Sequence, residues 1–355
     1  MKHLCFLAVS ILCLSFFLGC SQIGSNSSIP NSDASSNPVS PPNNTSVATP
    51  TMKDQTDPIG NDKDKALMES ACHNEEVGVD DALRAGANPN IHDGTGKTPL
   101  MCAISYPSIV RKLLDAGAKV EPVDQNGDSA LSYACGWHYE TARLLIENGA
   151  DVNVKDKDGD TPLLAVSSAR SEEGMDMMRL LIEKGANVNV KNSKGTTPLL
   201  ASLSGVTQSD EMARLLVERG ADVNAKDNEG MTPLILVIDN HKVHVGVRNS
   251  LDGNGVSMVR LLLEQGADAN AAHPHLLSGS MPALCLAVQG RDEDLVQLLL
   301  AHKANVDVRC GSSSDSLIEQ LNKEIDFYRK HSSADPDYLY YDERIRELLL
   351  GAGKR

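Results

Sequence analysis

Aromatic side chains are scarce in this chain of 355 residues: one Trp, seven Tyr and four Phe, 3% in all. They cannot dominate a packed interior, so any core must be aliphatic. Only nine follow position 20, and they fall in two groups: Tyr106, Tyr133, Trp137 and Tyr139, then Phe327, Tyr328, Tyr338, Tyr340 and Tyr341. Positive charge is short too. The formal net charge is −15, which argues against a general nucleic-acid or anionic-lipid surface. There is no Gly-x-Ser-x-Gly, phosphate loop or dinucleotide fingerprint, and no nucleophile, base and orienting residue assemble from a signature. The longest apolar stretch, Leu4 to Leu18, falls short of the roughly twenty residues that span a bilayer.

What the chain does have is repetition. Thr-Pro-Leu stands at 98–100, 161–163, 197–199 and 232–234, with degenerate copies at Ser129-Ala130-Leu131 and Pro282-Ala283-Leu284. Gly-Ala follows at 86/87, 117/118, 149/150, 185/186, 220/221, 266/267 and 351/352, with Lys303-Ala304 as the altered member. Successive glycines lie 31, 32, 36, 35 and 46 residues apart, so the unit is about 33 residues with some enlarged copies. Thr before Pro before an apolar run starts a helix, since the hydroxyl satisfies an orphan amide and Pro at the first position loses no hydrogen bond. A second helix carries the face Arg143-Leu144-Leu145-Ile146, repeated at 179–182, 214–217 and 260–263. Glycine ends it, because the position after a helix commonly needs a left-handed backbone. Asp-Val-Asn-x-Lys-Asp-x-x-Gly, as from Asp151 to Gly159, then favours a tight turn.

This unit resembles the ankyrin repeat. The resemblance covers residues 62–355 and implies an all-α repeat fold: an ankyrin-type solenoid of helix-turn-helix units with short hairpin fingers, about eight units including caps. Family members usually carry His after Thr-Pro-Leu, bonding the adjoining backbone. Here that position holds Met101, Ser132, Leu164, Leu200, Ile235 and Cys285, so stacking should lean more on packing.

Residues 1–19 have the plan of a secretory signal peptide. Phe17-Leu18-Gly19-Cys20 resembles a bacterial lipobox, which implies cleavage before Cys20 and lipidation of that residue with palmitate-type chains. Phe and Leu depart from the commonest choices at the outer positions. Residues 21–60 contain 24 Ser, Thr, Asn and Pro and no aromatic, too polar for a core. We therefore expect 20–61 to be a lipidated cysteine and disordered tether, with a root-mean-square reach of roughly 35 Å. Loss of Lys2 with the signal leaves the mature chain near −16.

Three chemistries can be tested against spacing. The run Asp156 to Asp160 has glycine at the fourth place of a would-be calcium loop rather than the sixth, and reads as a hairpin turn. His241 and His244 lie in the insertion at 239–254, and His273 and His275 in the next finger, but no Cys or carboxylate completes a metal-ligand spacing. Cys72, Cys102, Cys135, Cys285 and Cys310 fall in different repeat columns. Equivalent backbones of stacked repeats lie about 10 Å apart, beyond disulfide reach, so buried small hydrophobes are the default expectation. One bridge between neighbouring units stays open.

The expectation is a non-catalytic, monomeric protein-interaction scaffold without cofactor or metal, tethered to the membrane by lipid in the bacterial cell envelope. Ser21 after the cysteine points to the outer membrane, facing the periplasm. A metal- or haem-handling accessory using the His-bearing loops is the alternative, and an enzyme in the enlarged C-terminal unit, with its 322–337 insertion, the third reading. Backbone-determining residues are fixed while finger tips vary, so the candidate partner-binding residues are Gln125, Asn126, Asp128, Lys157, Asp158, Asp160, Ser193, Lys194, Thr196, Asn228, Glu229 and Met231. Trp137 is the candidate aromatic anchor.

Overall fold

The computed structural model describes residues 57–58, 60–169, 171–204, 210–243, 253–275, 279–311, 313–330 and 336–353. The signal peptide, Cys20 and most of the tether lie outside them, as do His244 and residues 244–252 of the first insertion. The described helices form eight pairs. They are α1 (Asp62–Cys72) with α2 (Glu76–Arg84), α3 (Pro99–Cys102) with α4 (Pro107–Asp115), and α5 (Ala130–Cys135) with α6 (Tyr139–Glu147). Next come α7 (Pro162–Ser167) with α8 (Glu172–Glu183), and α9 (Pro198–Leu203) with α10 (Asp210–Glu218). The last three are α11 (Pro233–Val243) with α12 (Gly253–Glu264), α13 (Ala283–Gln289) with α14 (Glu293–Ala301), and α15 (Leu317–Lys330) with α16 (Pro336–Ala352). First helices pack on first helices of the neighbouring unit from α1 through α13, and second helices on second helices from α2 through α8 and from α10 through α14, the arrangement of a repeat stack.

The first helices start as their sequence requires. Thr98, Thr161 and Thr197 accept through Oγ1 from the amides of Met101, Leu164 and Leu200, and Pro follows each cap. Ser129 replaces Thr in unit 3 and forms a reciprocal box with Ser132. Two aliphatic columns then run through the stack. Leu67, Leu100, Leu131, Leu163, Leu199, Leu234 and Leu284 repeat in the first helices, and Leu113, Leu145, Leu181, Leu216, Leu262 and Leu299 in the second, all buried. Residues in the column that usually holds His are buried as well, except the half-buried Ser132. Packing fills that space, as the apolar substitutes imply.

Hydrogen bonds between units come from a different residue. The Asn four places after the closing glycine reaches into the next unit: Asn189 Nδ2 donates to the Gly220 carbonyl at 3.0 Å, and its Oδ1 accepts from the Asp222 amide at 2.7 Å. Asn90, Asn153 and Asn224 repeat the clamp on Gly117, Gly185 and Gly266. Unit 3 breaks the pattern, because Glu121 occupies that position.

The ordered array begins earlier than residue 62. Asp57–Pro58 forms β1, paired in parallel with β2 (Ile91–His92), and Asn61 caps α1 through the Asp64 amide. Asp57–Pro58, within the stretch expected to be tether, is thus paired with the array. The physical reason is that the first finger has no predecessor to bond its outer edge, and the end of the tether supplies that edge. A longer hairpin, β3 (Ala272–His275) with antiparallel β4 (Gly279–Pro282), forms the finger of unit 7.

The carboxyl-terminal pair closes the stack. Helix α16 lies on α14, burying Ile345 and Leu349. Arg291, in the turn before α14, donates from Nε to Asp342 Oδ1 at 2.9 Å and from Nη2 to the Tyr328 hydroxyl at 3.4 Å. Asp342 is buried with its charge paired, so the cap docks through an ion pair as well as by packing.

Candidate partner-binding surfaces

The fingers of units 2 to 6 turn tightly around one acidic or amide side chain, Asp93, Asp124, Asp156, Asn192 or Asp227. Asp156 Oδ1 accepts from the amides of Asp158 and Asp160, and Gly159 takes φ +78°. This is the hairpin turn expected of that run. The tips then bond to one another across units. Gln125 N donates to Thr95 O, Lys157 N to Asn126 O, Ser193 N to Asp158 O and Asn228 N to Lys194 O, at 2.7–3.0 Å. Side chains reinforce the row: Gln125 Nε2 donates to Gly94 O and Asn228 Nδ2 to Ser193 O, both at 2.8 Å.

The row brings together most of the residues chosen from sequence. Gln125, Asn126, Lys157, Asp158, Ser193, Lys194, Asn228 and Glu229 are exposed along it, while Asp128, Asp160 and Thr196 are half-buried at its base. Burial, together with the charges of Asp124 and Asp156, holds the Asp128 carboxyl above the usual carboxylate range. Met231 is corrected: it is buried, because its side chain packs under the finger into the core. It presents nothing to a partner.

Trp137 is not part of that row. It stands 86% exposed in the turn between α5 and α6, at the opposite end of α5 from the finger. The turn contributes instead to a cavity of about 880 Å³ between the helix turns of units 2, 3 and 4, with Ile104, Pro107, Trp137, Tyr139, Ala165 and Ala169 among its walls. Glu140 and Glu173 lie at its exposed rim, and Arg111 stands 3.9 Å from Glu140. Thr141 also lines it, fully buried, and its Oγ1 has no hydrogen-bond partner. A buried hydroxyl left in that condition costs roughly 1–3 kcal/mol. Sequence reasoning missed both the groove and Thr141, since nothing in the repeat phrase singles them out.

The cysteine expectation is corrected for four of the five. Cys72 is bonded to Cys102 with Cα atoms 4.7 Å apart, and Cys285 to Cys310 at 5.7 Å. The repeat spacing separates equivalent positions, whereas these pairs join different columns that approach one another across a junction. Cys310 occupies the place in its finger that Asp156 and Asn192 hold in theirs, and Cys285 takes the column that usually holds His. Cys135 alone remains a thiol, buried, with its pKa pushed up to about 12 by that burial. It behaves as a small hydrophobe. Among the described residues no group of three or more His, Cys, Asp or Glu is arranged to hold a metal ion.

Comparison with known proteins agrees with this architecture. The family "Ankyrin repeats (3 copies)" matches residues 67–156, 138–227 and 165–271, and "Ankyrin repeat" matches 281–310. The chain belongs to the ankyrin repeat family. Human ankyrin repeat and KH domain-containing protein 1 is 44% identical over 81 residues, 21% of this chain and 3% of that protein. An ankyrin repeat-containing protein of Schizosaccharomyces pombe is 38% identical over 56 residues, 16% of this chain and 27% of its own length. The chain thus spans only a small part of these relatives. The crystal structure of an ankyrin repeat domain from Acinetobacter baumannii is similar at 27% identity with TM-score 0.50, covering 58% of this chain and 98% of that one. Ankyrin repeats indicate a protein–protein interaction scaffold, and proteins of this family are in general non-catalytic interaction modules.

Proposed function

We propose that this chain is a monomeric, non-catalytic protein-binding scaffold held in a bacterial cell envelope by lipid on Cys20, with residues 20–56 as the tether. The repeat array is the binding part. The observation that carries this reading is the finger row: four tip amides bonded across units fix the backbone from Thr95 to Asn228 while eight of the chosen side chains stay exposed on it. A pre-ordered backbone with exposed side chains suits protein recognition, because little ordering entropy is spent on binding.

The envelope assignment has separate support. Two disulfides within one chain fit an oxidising compartment and are uncommon in the cytosol of mesophiles. They agree with the signal-like residues 1–19 and the lipobox resemblance at Cys20. Ser21 favours the outer membrane, facing the periplasm.

Crosslinking in intact envelopes from photoreactive side chains placed at the exposed tips Asn126 or Glu229 tests the binding reading. The expected result is a discrete partner adduct lost on Lys157→Glu with Lys194→Glu; no adduct from any finger position overturns it. Mass spectrometry of the mature amino terminus tests the anchor. Acylated Cys20 is expected, with release of the protein from membranes on Cys20→Ala, and an unmodified Cys20 or cleavage elsewhere removes the lipoprotein part.

A further inference from the structure

The finger row leaves the groove at the other end of the first helices unexplained, and that groove has the features of a second recognition site. Its walls are mainly apolar, with Ser105, His138, Ser168 and Ser171 among them, and one is the ring of Trp137, the only tryptophan in the chain, which packs so little that 86% of it meets solvent. An indole displayed in this way gains nothing for folding. The described charges on its rim are the Glu140 and Glu173 carboxylates, with Arg111 as a distant, solvent-screened neighbour of Glu140. Thr141 adds a buried, unpartnered hydroxyl among the lining residues.

We infer that this groove binds an extended segment of a partner protein whose recognised residue is an arginine flanked by apolar side chains. A guanidinium plane stacks on an indole face more favourably than on any other side chain and pairs with a carboxylate through two parallel hydrogen bonds. Glu140 and Glu173 supply the acceptors. The flanking apolar residues fill the wall between Ile104, Pro107 and Ala169. Acidic and neutral-polar segments lack the charge that the rim complements. The inference rests on the reading of the chain as a protein-binding scaffold, but not on the finger row, which lies at the far end of the same helices.

Because Trp137 is the sole tryptophan, its emission reports on this groove alone. The purified full chain is titrated with an acetylated Ala-Leu-Arg-Leu-Ala amide and with the same peptide carrying Glu in place of Arg. The expected result is a saturable change in Trp137 emission with the arginine peptide and none with the glutamate peptide. Glu140→Gln with Glu173→Gln should weaken binding about tenfold or more, the loss expected for a stacked, ion-paired guanidinium. Absence of a saturable response, an equal response to the acidic peptide, or unchanged affinity in the double variant overturns the inference. If Lys157→Glu with Lys194→Glu abolishes the response and the groove variants do not, the groove is rejected while the scaffold reading stands.

Discussion

Cys72–Cys102 ties the first helix of unit 1 to that of unit 2, and Cys285–Cys310 ties unit 7 to the finger of unit 8. Between them the described junctions carry no bridge and depend on aliphatic columns, asparagine clamps and the row of finger amides. The difference follows from the geometry of a linear stack. An inner unit is packed from both sides, so opening it breaks two interfaces. An end unit has one neighbour and opens alone at lower cost. A hydrogen bond exposed at an end would fray with its unit, whereas a disulfide acts mainly by restricting the unfolded chain and keeps its effect there. Covalent links therefore sit where neighbours are missing.

The harshest way to break this comparison is to remove an end. Deleting 311–355 takes away α15 and α16 while leaving Cys310 in place, uncovering the α14 face that Leu295 and Leu299 help form. We expect loss of soluble protein or fraying of α13 and α14 in hydrogen exchange; unchanged unfolding would refute the capping role of the last unit. Next in size is replacement of either disulfide by paired serines. Closing a loop of 25 or 30 residues is worth about 3.5 kcal/mol, so each pair should show a clear drop in denaturant midpoint. Hydrogen exchange should rise at the corresponding end and not in α7–α10. A uniform rise along the stack would mean that the ends are not separately held.

Within the middle, Gly195→Ala should cost most. Gly195 has φ +76°, and a Cβ there would stand 2.8 Å from the Asn228 amide of the next finger. Left-handed backbone alone costs an L-residue roughly 1–2 kcal/mol, and the close approach adds to it by breaking the tip row. Equilibrium unfolding with exchange at Asn228 measures both parts. The smallest effects sharpen the comparison. Asn189→Ala, losing two hydrogen bonds, should destabilise by roughly 1–2 kcal/mol. Glu121→Asn, which supplies the clamp missing in unit 3, should stabilise by about 1 kcal/mol. If the two changes act alike in a denaturant titration, the clamp is not what joins the inner units.

The repeat itself was legible in the amino-acid sequence. Thr98-Pro99-Leu100, the leucine faces and the closing glycines each specify their structure through neighbours a few residues away: a cap, an apolar stripe, a left-handed turn. Eight helix pairs, their caps and the exposed finger tips follow from such short-range chemistry. The Asn column was visible too, but its turn-forming role concealed its reach into the next unit. Only the tertiary structure decided the rest, because those features depend on residues about thirty positions apart whose distance is set by how units stack. Stacking brought Cys72 to Cys102, sent Met231 inward, carried Trp137 to the opposite end of its helix from the finger and left Thr141 lining a groove shared by three units.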